Sequence, residues 1–181
     1  MAMMYKAEEI SRYEFTPTDK YLLDTNVWML VCGPQKPGDK RVEVYSQALN
    51  KILAAQSRIY IDVLIVSEFI NAYARLKFNR LKKAPSDDFK AFRKSGDFKP
   101  IAQDIAADVK RVLKHCERIG DRFESLAIDA LIDEYAAGDS DFNDQIFIAL
   151  CKREGLKLVT DDGDFKGQGI PVITGNKRLL S

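Results

Sequence analysis

Helices packed on a central parallel sheet are the architecture that this sequence predicts. Three observations carry the prediction. Short apolar runs at Tyr21–Leu23, Arg58–Asp62, Leu156–Val159 and Pro171–Ile173 read as strands. The stretches between them repeat apolar residues at steps of three and four, as amphipathic helices do. Strands that alternate with helices form a parallel sheet covered by those helices. The composition agrees: 181 residues, 46% hydrophobic and 30% charged, make an ordinary globular chain. That length buries roughly 70% of the unfolded surface without help from disulfides or metal. One domain over residues 1–181 is expected.

The elements follow in order. Tyr21-Leu22-Leu23 is a buried strand that stops at Asp24. Thr25 or Asn26 is expected to cap a short helix through Leu30. Gly33 to Gly38 is a loop, because two prolines and two glycines fall in six residues. From Arg41 to about Gln56, Val44, Tyr45, Ala48, Leu49, Ile52 and Leu53 line one helical face. Arg58–Asp62 is the second strand, and a helix follows from Val63 to Leu81, broken by Ala84-Pro85-Ser86. The polar stretch 86–99 is read as a helix or a mobile excursion. Pro100–Ile119 is a helix that stops at Gly120. Phe123–Leu126 is expected to be extended. Helices over Ile128–Ala137 and Phe142–Glu154 end at Gly138 and Gly155. The last two strands are Leu156–Val159 and Pro171–Ile173.

Several function classes fall away. Lys plus Arg number 28 and Asp plus Glu 27, a formal charge of +1, so there is no bulk basic excess to draw in nucleic acid, although a local basic face is compatible with it. Cys32, Cys116 and Cys151 are far apart in an odd count, which fits reduced thiols in a cytoplasmic protein. His115 is the only histidine, which argues against a Cys/His zinc site and leaves one residue for any His-based triad. It shares the helix face of Val112 and Cys116 and is read as half-buried and structural. Trp28, which follows the first acid, is read as core, with a position beside the site as the alternative. No apolar run approaches bilayer length, and the opening MAMMYKAEEISRYEF lacks the apolar stretch of a secretory leader. No nucleotide-binding glycine motif is present.

The acids are better placed. In parallel sheets, ligands sit at the carboxyl ends of the strands. Asp24 ends the first strand, and Asp161, Asp162 and Asp164 follow the strand at Leu156–Val159. Glu68 lies one turn into the helix after the second strand. Asp141 and Asp144 stand three apart at a helix start. Taken singly, each fits a cap or a turn. Taken together they raise an electrostatic problem. Four carboxylates within about 4 Å of one another repel at roughly 4 kcal/mol per pair at an effective dielectric near 20. Their six pairs would then rival a domain's whole stability of ~5–15 kcal/mol. Protons, basic partners or a divalent cation must offset that. Oxygen ligands without His or Cys suit Mg²⁺ or Mn²⁺, and such a cation suits phosphodiester chemistry.

Four segments resemble PIN domains. Leu22-Leu23-Asp24-Thr25-Asn26-Val27 resembles their opening motif, and Val66-Ser67-Glu68-Phe69 their second acidic site. Asp144-Gln145-Ile146-Phe147-Ile148-Ala149-Leu150 resembles the third, and Leu158-Val159-Thr160-Asp161-Asp162-Gly163-Asp164-Phe165 the closing Thr-x-Asp-x-Asp-Phe pattern. The resemblance covers about residues 21–173. It implies a three-layer α/β/α fold and a Mg²⁺- or Mn²⁺-dependent endoribonuclease that leaves 5′-phosphate and 3′-hydroxyl ends. Asp24, Glu68, Asp144 and Asp162 would be the catalytic, metal-holding acids. Asn26, Asp141, Thr160 and Asp164 would be accessory. Many small members look like VapC-type toxins, commonly dimers held by an antitoxin. RNA, a cognate antitoxin and a second copy are the partners this implies.

One departure stands out. The helical, basic segment from about 79 to 121 is longer than a minimal toxin of this kind needs. Arg80, Lys82, Lys83, Lys90, Arg93 and Lys94 are its candidates for RNA contact, whereas Lys110–Arg118 reads as a solvated helix face. Phe78, Phe89, Phe92 and Phe98 are read as packing, with stacking on single-stranded bases as the alternative. The alternative function is a PIN-like module that binds RNA or protein without cutting. A phosphatase or an aspartyl-phosphate receiver is a third reading, although Asp24-Thr25-Asn26 lacks the second Asp of such phosphatases.

Overall fold

The apolar runs form strands, and the strands form one sheet. The structure, a computed structural model, describes residues 5–81, 88–138 and 141–181. In chain order its elements are β1 (Glu8–Glu9), β2 (Lys20–Leu23), α1 (Thr25–Val31), α2 (Lys40–Ala54), β3 (Arg58–Ile61), α3 (Val63–Leu81), α4 (Phe89–Lys94), α5 (Phe98–Leu113) and β4 (Glu117–Arg118). Then come α6 (Ile128–Ala137), α7 (Phe142–Glu154), β5 (Lys157–Val159), β6 (Val172–Thr174) and α8 (Lys177–Leu180).

The strand order is β1-β6-β5-β2-β3-β4, and every pairing is parallel. Helices cover this sheet in the three-layer α/β/α arrangement. From β2 the chain builds outward through β3 to β4. It then returns to the other side of β2 to lay down β5 and β6. The strand order therefore reverses at the boundary between β2 and β5, and a crevice opens there at the carboxyl ends of the strands. Leu22 faces Leu158 and Leu23 faces Val159 across that boundary. Beyond their leading lysines, β2 and β5 are apolar, because both faces are covered: Tyr21, Leu22, Leu158 and Ile173 have no exposed surface.

Each major helix contributes a stripe to the core. Trp28 of α1 is fully buried, as its sequence context predicts. Tyr45, Ala48 and Ile52 face inward from α2, and Ile65, Phe69 and Tyr73 from α3. Ile101, Ile105 and Val112 do so from α5. Gly138 and Gly155 end α6 and α7 in the left-handed conformation, at φ 81° and 65°, which glycine adopts without steric cost.

Several elements differ from the sequence expectation. The helix read as Pro100–Ile119 runs from Phe98 to Leu113, and the chain then turns so that Glu117 and Arg118 pair with Tyr60 and Ile61. Two exposed polar residues carry no strand periodicity; their neighbour β3 makes them a strand. Arg58 clasps Glu117 with bonds of 2.8 and 2.6 Å across that pairing. Because α5 ends early, His115 lies exposed in the turn and is not half-buried. Phe123–Ser125 is a 3₁₀ turn where an extended segment was expected. The exposed pair Glu8–Glu9 (β1) and the short α8 have no signal in the sequence. Within 86–99, α4 is helical and capped by Asp88, whose carboxylate accepts from the Lys90 N–H. The four phenylalanines do pack: Phe78 lies 5.4 Å from Phe89 and 5.1 Å from Phe92, and Phe92 lies 5.4 Å from Phe98. Among the described residues, no helix is long and apolar enough to cross a membrane.

At the end of α1, Gly33 has no room for a side chain. An added Cβ would lie 2.6 Å from the Met29 carbonyl oxygen and 3.0 Å from its Cα, both backbone atoms. Gly33→Ala is therefore expected to destabilise the fold by about 1–3 kcal/mol, whereas Gly96→Ala, with open space around it, leaves stability unchanged. Urea unfolding of the two variants checks this.

Candidate active site

The site is built from the β2–β5 register. Pairing of Leu23 with Val159 puts the next residue of each strand, Asp24 and Thr160, side by side. The Asp24 N–H donates to the Val159 carbonyl at 3.0 Å. The Thr160 hydroxyl donates to Asp24 Oδ2 at 2.7 Å, and the Asn26 amide donates to the same oxygen at 2.6 Å. Asp24 occupies the N-cap position of α1, yet its side chain caps nothing. The expectation that Thr25 or Asn26 caps this helix is also wrong, because both side chains point to other acids. Thr25 donates to Glu68 Oε2 at 2.6 Å. Asn26 reaches Asp24 and, through its carbonyl oxygen, accepts the Asp161 N–H at 3.2 Å.

Glu68 arrives from the first turns of α3. Its second oxygen, Oε1, accepts from the Asn143 amide at 2.5 Å, so neutral donors hold both carboxylate oxygens. Asn143 sits at the start of α7, where the Asp141 carboxylate caps the helix through the Asn143 N–H at 2.9 Å. The next residue is Asp144. Among the described residues no side-chain donor meets its carboxylate.

The third strand end is a turn. The Asp162 N–H donates to Thr160 Oγ1 at 3.0 Å, and Asp162 Oδ1 accepts the Asp164 N–H at 3.0 Å. Asp161, between them in sequence, faces elsewhere: Arg41 donates to it at 2.9 Å and the Tyr45 hydroxyl at 2.9 Å. The Asn176 amide takes its backbone carbonyl at 2.7 Å. These bonds fasten the turn to α2 and to the residues after β6.

Asp24, Glu68, Asp144 and Asp162 line one cleft of about 770 Å³. They are the four principal acids that the sequence singles out. Of the accessory candidates, Asn26 lines the cleft and Thr160 lies buried beneath Asp24. Asp141 acts as a helix cap, and Asp164 is exposed outside the cleft lining. Arg80 lines the cleft and donates to the Pro34 and Gln35 carbonyls at 3.2 and 3.4 Å. Lys90, Arg93 and Lys94 lie on α4 and are not among the cleft residues. Lys82 and Lys83 fall outside the described residues.

The electrostatics are those of crowded acids. Asp24 is only 6% exposed. Burial pushes its carboxyl up to about 6, against the bonds from Thr160 and the Thr25 backbone, with the charges of Glu68 and Asp162 adding to the rise. Burial also pushes Asp144 up to about 7, helped by the charges of Asp24, Asp141, Asp162 and Glu68. The charges acting most strongly on both are carboxylates. The donor set is therefore hard oxygen in a crowded, negative, partly dehydrated cleft, which fits a divalent cation of the Mg²⁺ or Mn²⁺ kind. Among the described residues, no three acids, cysteines or histidines are grouped closely enough to hold a metal ion as they stand. Thr25 and Asn143 hold Glu68, and Thr160 and Asn26 hold Asp24 Oδ2, in the cluster as it stands.

Residues 21–171 match the family model of the PIN domain. The chain belongs to the PIN domain family. PIN domains are generally nucleases and typically use divalent metals. The PIN fold is also that of VapBC2 from Rickettsia felis, solved bound to a DNA fragment from the promoter of its genes. That structure shares 17% identity, covering 86% of this chain and 98% of its own, at a TM-score of 0.56. PAE2754 from Pyrobaculum aerophilum matches at 17% identity over 96% of this chain and 94% of its own, with a TM-score of 0.51. Comparison with curated proteins gives no match.

Sequence reasoning missed three parts of this site. Asn143 adjoins Asp144 in the third motif, and that adjacency was its only signal. Arg41, Tyr45 and Asn176 grip the Asp161 turn from far along the chain, which no local pattern reveals. Arg75 lines the cleft seven residues after Glu68, a helical spacing that could have found it.

The raised carboxyls make the metal-free protein pH-sensitive. Their folded values lie above the unfolded value of about 3.9. The folded state then holds more protons than the unfolded one between about pH 4 and 7. These two groups therefore favour folding at low pH, and that advantage is lost as pH rises through about 6–7. Asp144→Asn is expected to stabilise the metal-free protein near about pH 8 by roughly 1–2 kcal/mol, a figure already discounted for solvent screening. Near about pH 5 the gain shrinks. Thermal melts of both proteins in chelator across that range measure it.

Proposed function

We propose that this PIN domain is a Mg²⁺- or Mn²⁺-dependent endoribonuclease. The observation that carries the reading is the assembly of Asp24, Glu68, Asp144 and Asp162 on one cleft, with two of the four carboxyls pushed up by burial and by their neighbours. These four residues would hold the cation. When bound, it would orient the phosphodiester, make a water more acidic and stabilise the leaving oxygen.

The chain's own residues prepare that chemistry. Thr160 and Asn26 fix one Asp24 oxygen, and the residue lines the cleft. Thr25 and Asn143 set the plane of the Glu68 carboxylate. Asp144, which no side-chain donor among the described residues meets, is the acid pushed highest, up to about 7, and it would be ionised when it holds the cation. The Asp161 anchors keep the Asp162 turn against the crevice. None of these groups has the features of a separate general base.

The Rickettsia felis structure, a toxin–antitoxin protein, supports a role as the toxin of such a pair. A cognate antitoxin, a homodimeric assembly and a cytoplasmic setting belong to that proposal. The four acids favour this reading over a module that only binds.

Two outcomes test it. A mixed panel of single-stranded and structured RNAs is expected to be cut with Mg²⁺ or Mn²⁺ and spared in chelator, and Asp144→Asn is expected to lower the rate by at least about 100-fold. Cutting that survives Asp144→Asn would place the chemistry elsewhere. Thr160→Val removes a donor that helps to keep Asp24 ionised. It is expected to weaken Mn²⁺ binding by about 10–100-fold and to move the binding curve to higher pH, as read by calorimetry.

A further inference from the structure

Glu68, Asn71, Ala72, Arg75, Leu76 and Arg80 all line the cleft from α3. Their spacing of three and four residues makes one continuous stripe along the helix. The stripe is acidic at one end and basic at the other. Seven residues separate Glu68 from Arg75, about 10 Å along the axis.

Four cations line the cleft and they are not equivalent; Lys36 is exposed on the loop before α2. The Arg41 guanidinium is neutralised by Asp39 at 2.7 Å and Asp161 at 2.9 Å. Arg80 turns one guanidinium nitrogen, Nη2, to the carbonyls of Pro34 and Gln35. Arg75 does neither. Among the described residues it has no carboxylate within ion-pair distance. Its guanidinium carbon instead lies 4.8 Å from the centre of the Phe89 ring, a cation–π contact. Phe89 belongs to α4, and it packs on Phe78, one turn beyond Arg75 on α3. The stack therefore holds the guanidinium toward the far end of the stripe, away from the acids.

We infer that Arg75 binds a backbone phosphate of the RNA strand next to the one at the carboxylates, and that Phe89 is its positioning residue. A planar guanidinium whose donors meet no acceptor among the described residues suits a phosphate. An aromatic face presents that group without neutralising it. The basic segment after α3 thus serves the cleft through a phenylalanine, whereas its own Lys90 and Lys94 lie outside the lining. This inference rests on the nuclease reading.

The test measures binding of a labelled single-stranded RNA of about twenty nucleotides across a series of KCl concentrations. It uses the full chain with Asp144→Asn, so that nothing is cut. Loss of one phosphate contact lowers the slope of log affinity against log salt by about 0.7 for single strands. Arg75→Ala is expected to show that loss and a drop in affinity of about tenfold at low salt. Phe89→Leu is expected to lose part of the slope and Phe89→Trp to keep it, while Lys114→Ala, an exposed lysine on the turn after α5, changes nothing. Arg75→Gln, which can still lie on the ring, answers the question if Arg75→Ala melts early. The Mn²⁺-induced melting shift of the same substitutions made with Asp144 intact should match the parent. If the parent cuts RNA but Arg75→Ala and Arg75→Gln keep the full salt slope, or only melt earlier, the inference falls and the nuclease reading stands. If the protein with all acids intact neither binds nor cuts RNA, both fall.

Discussion

Asp24 is a carboxylate taken almost out of water at the end of a central strand, and the arrangement around it follows from how that burial is offset. A buried carboxylate needs donors or a counter-charge. Here the donors come from two directions: Asn26 from the helix that follows the strand, and Thr160 from the end of the neighbouring strand. Neither is charged. The cost of burial is therefore only partly met, and the carboxyl is pushed up to about 6. The remaining demand is for positive charge in the cleft. That demand links the fold to divalent-cation chemistry.

The parallel register is what brings these donors together. Leu23 beside Val159 makes Asp24 and Thr160 neighbours, and the reversal of strand order at that boundary leaves them at the floor of a crevice. Asp62 makes the contrast. It too ends a strand, β3, and it is fully buried. Its Oδ1 caps α3 by accepting the Leu64 N–H at 2.7 Å, while its other oxygen has no partner among the described residues. Asp62 serves the helix, whereas Asp24 leaves its helix uncapped and serves the cleft. Two acids in similar sequence settings thus take different roles because only one stands where the sheet changes direction.

α3 connects this centre to the rest of the chain. Its inward stripe of Ile65, Phe69 and Tyr73 fixes the helix on the core. Its cleft-facing stripe then carries an acid and an arginine at a set separation. The segment that follows α3 folds back, and its phenylalanines pack in a chain from Phe78 to Phe98. Arg75 rests on that aromatic group, so the extra length of the chain reaches the cleft indirectly, by supporting one side chain.

Much of this was determined by the sequence alone. Apolar runs bounded by Asp, Gly and Pro located the central strands, and three- and four-residue spacing located α2, α3 and α7, because burial against a sheet selects those patterns wherever the element is large. The four acids that share the cleft were legible as candidates too, since each lies at a strand end or in the opening turns of a helix next to a recognisable motif. The tertiary structure decided the rest. β1 and β4 are two-residue, exposed strands that exist only through a neighbour's unpaired backbone. The exposure of His115 depends on where α5 yields to β4. The separate fates of Asp161 and Asp162, adjacent in sequence, depend on Arg41, Tyr45 and Asn176, which arrive from distant parts of the chain. Local pattern records what an element buries. It does not record which partner comes to meet an individual polar side chain, and that choice sets the charge state of this site.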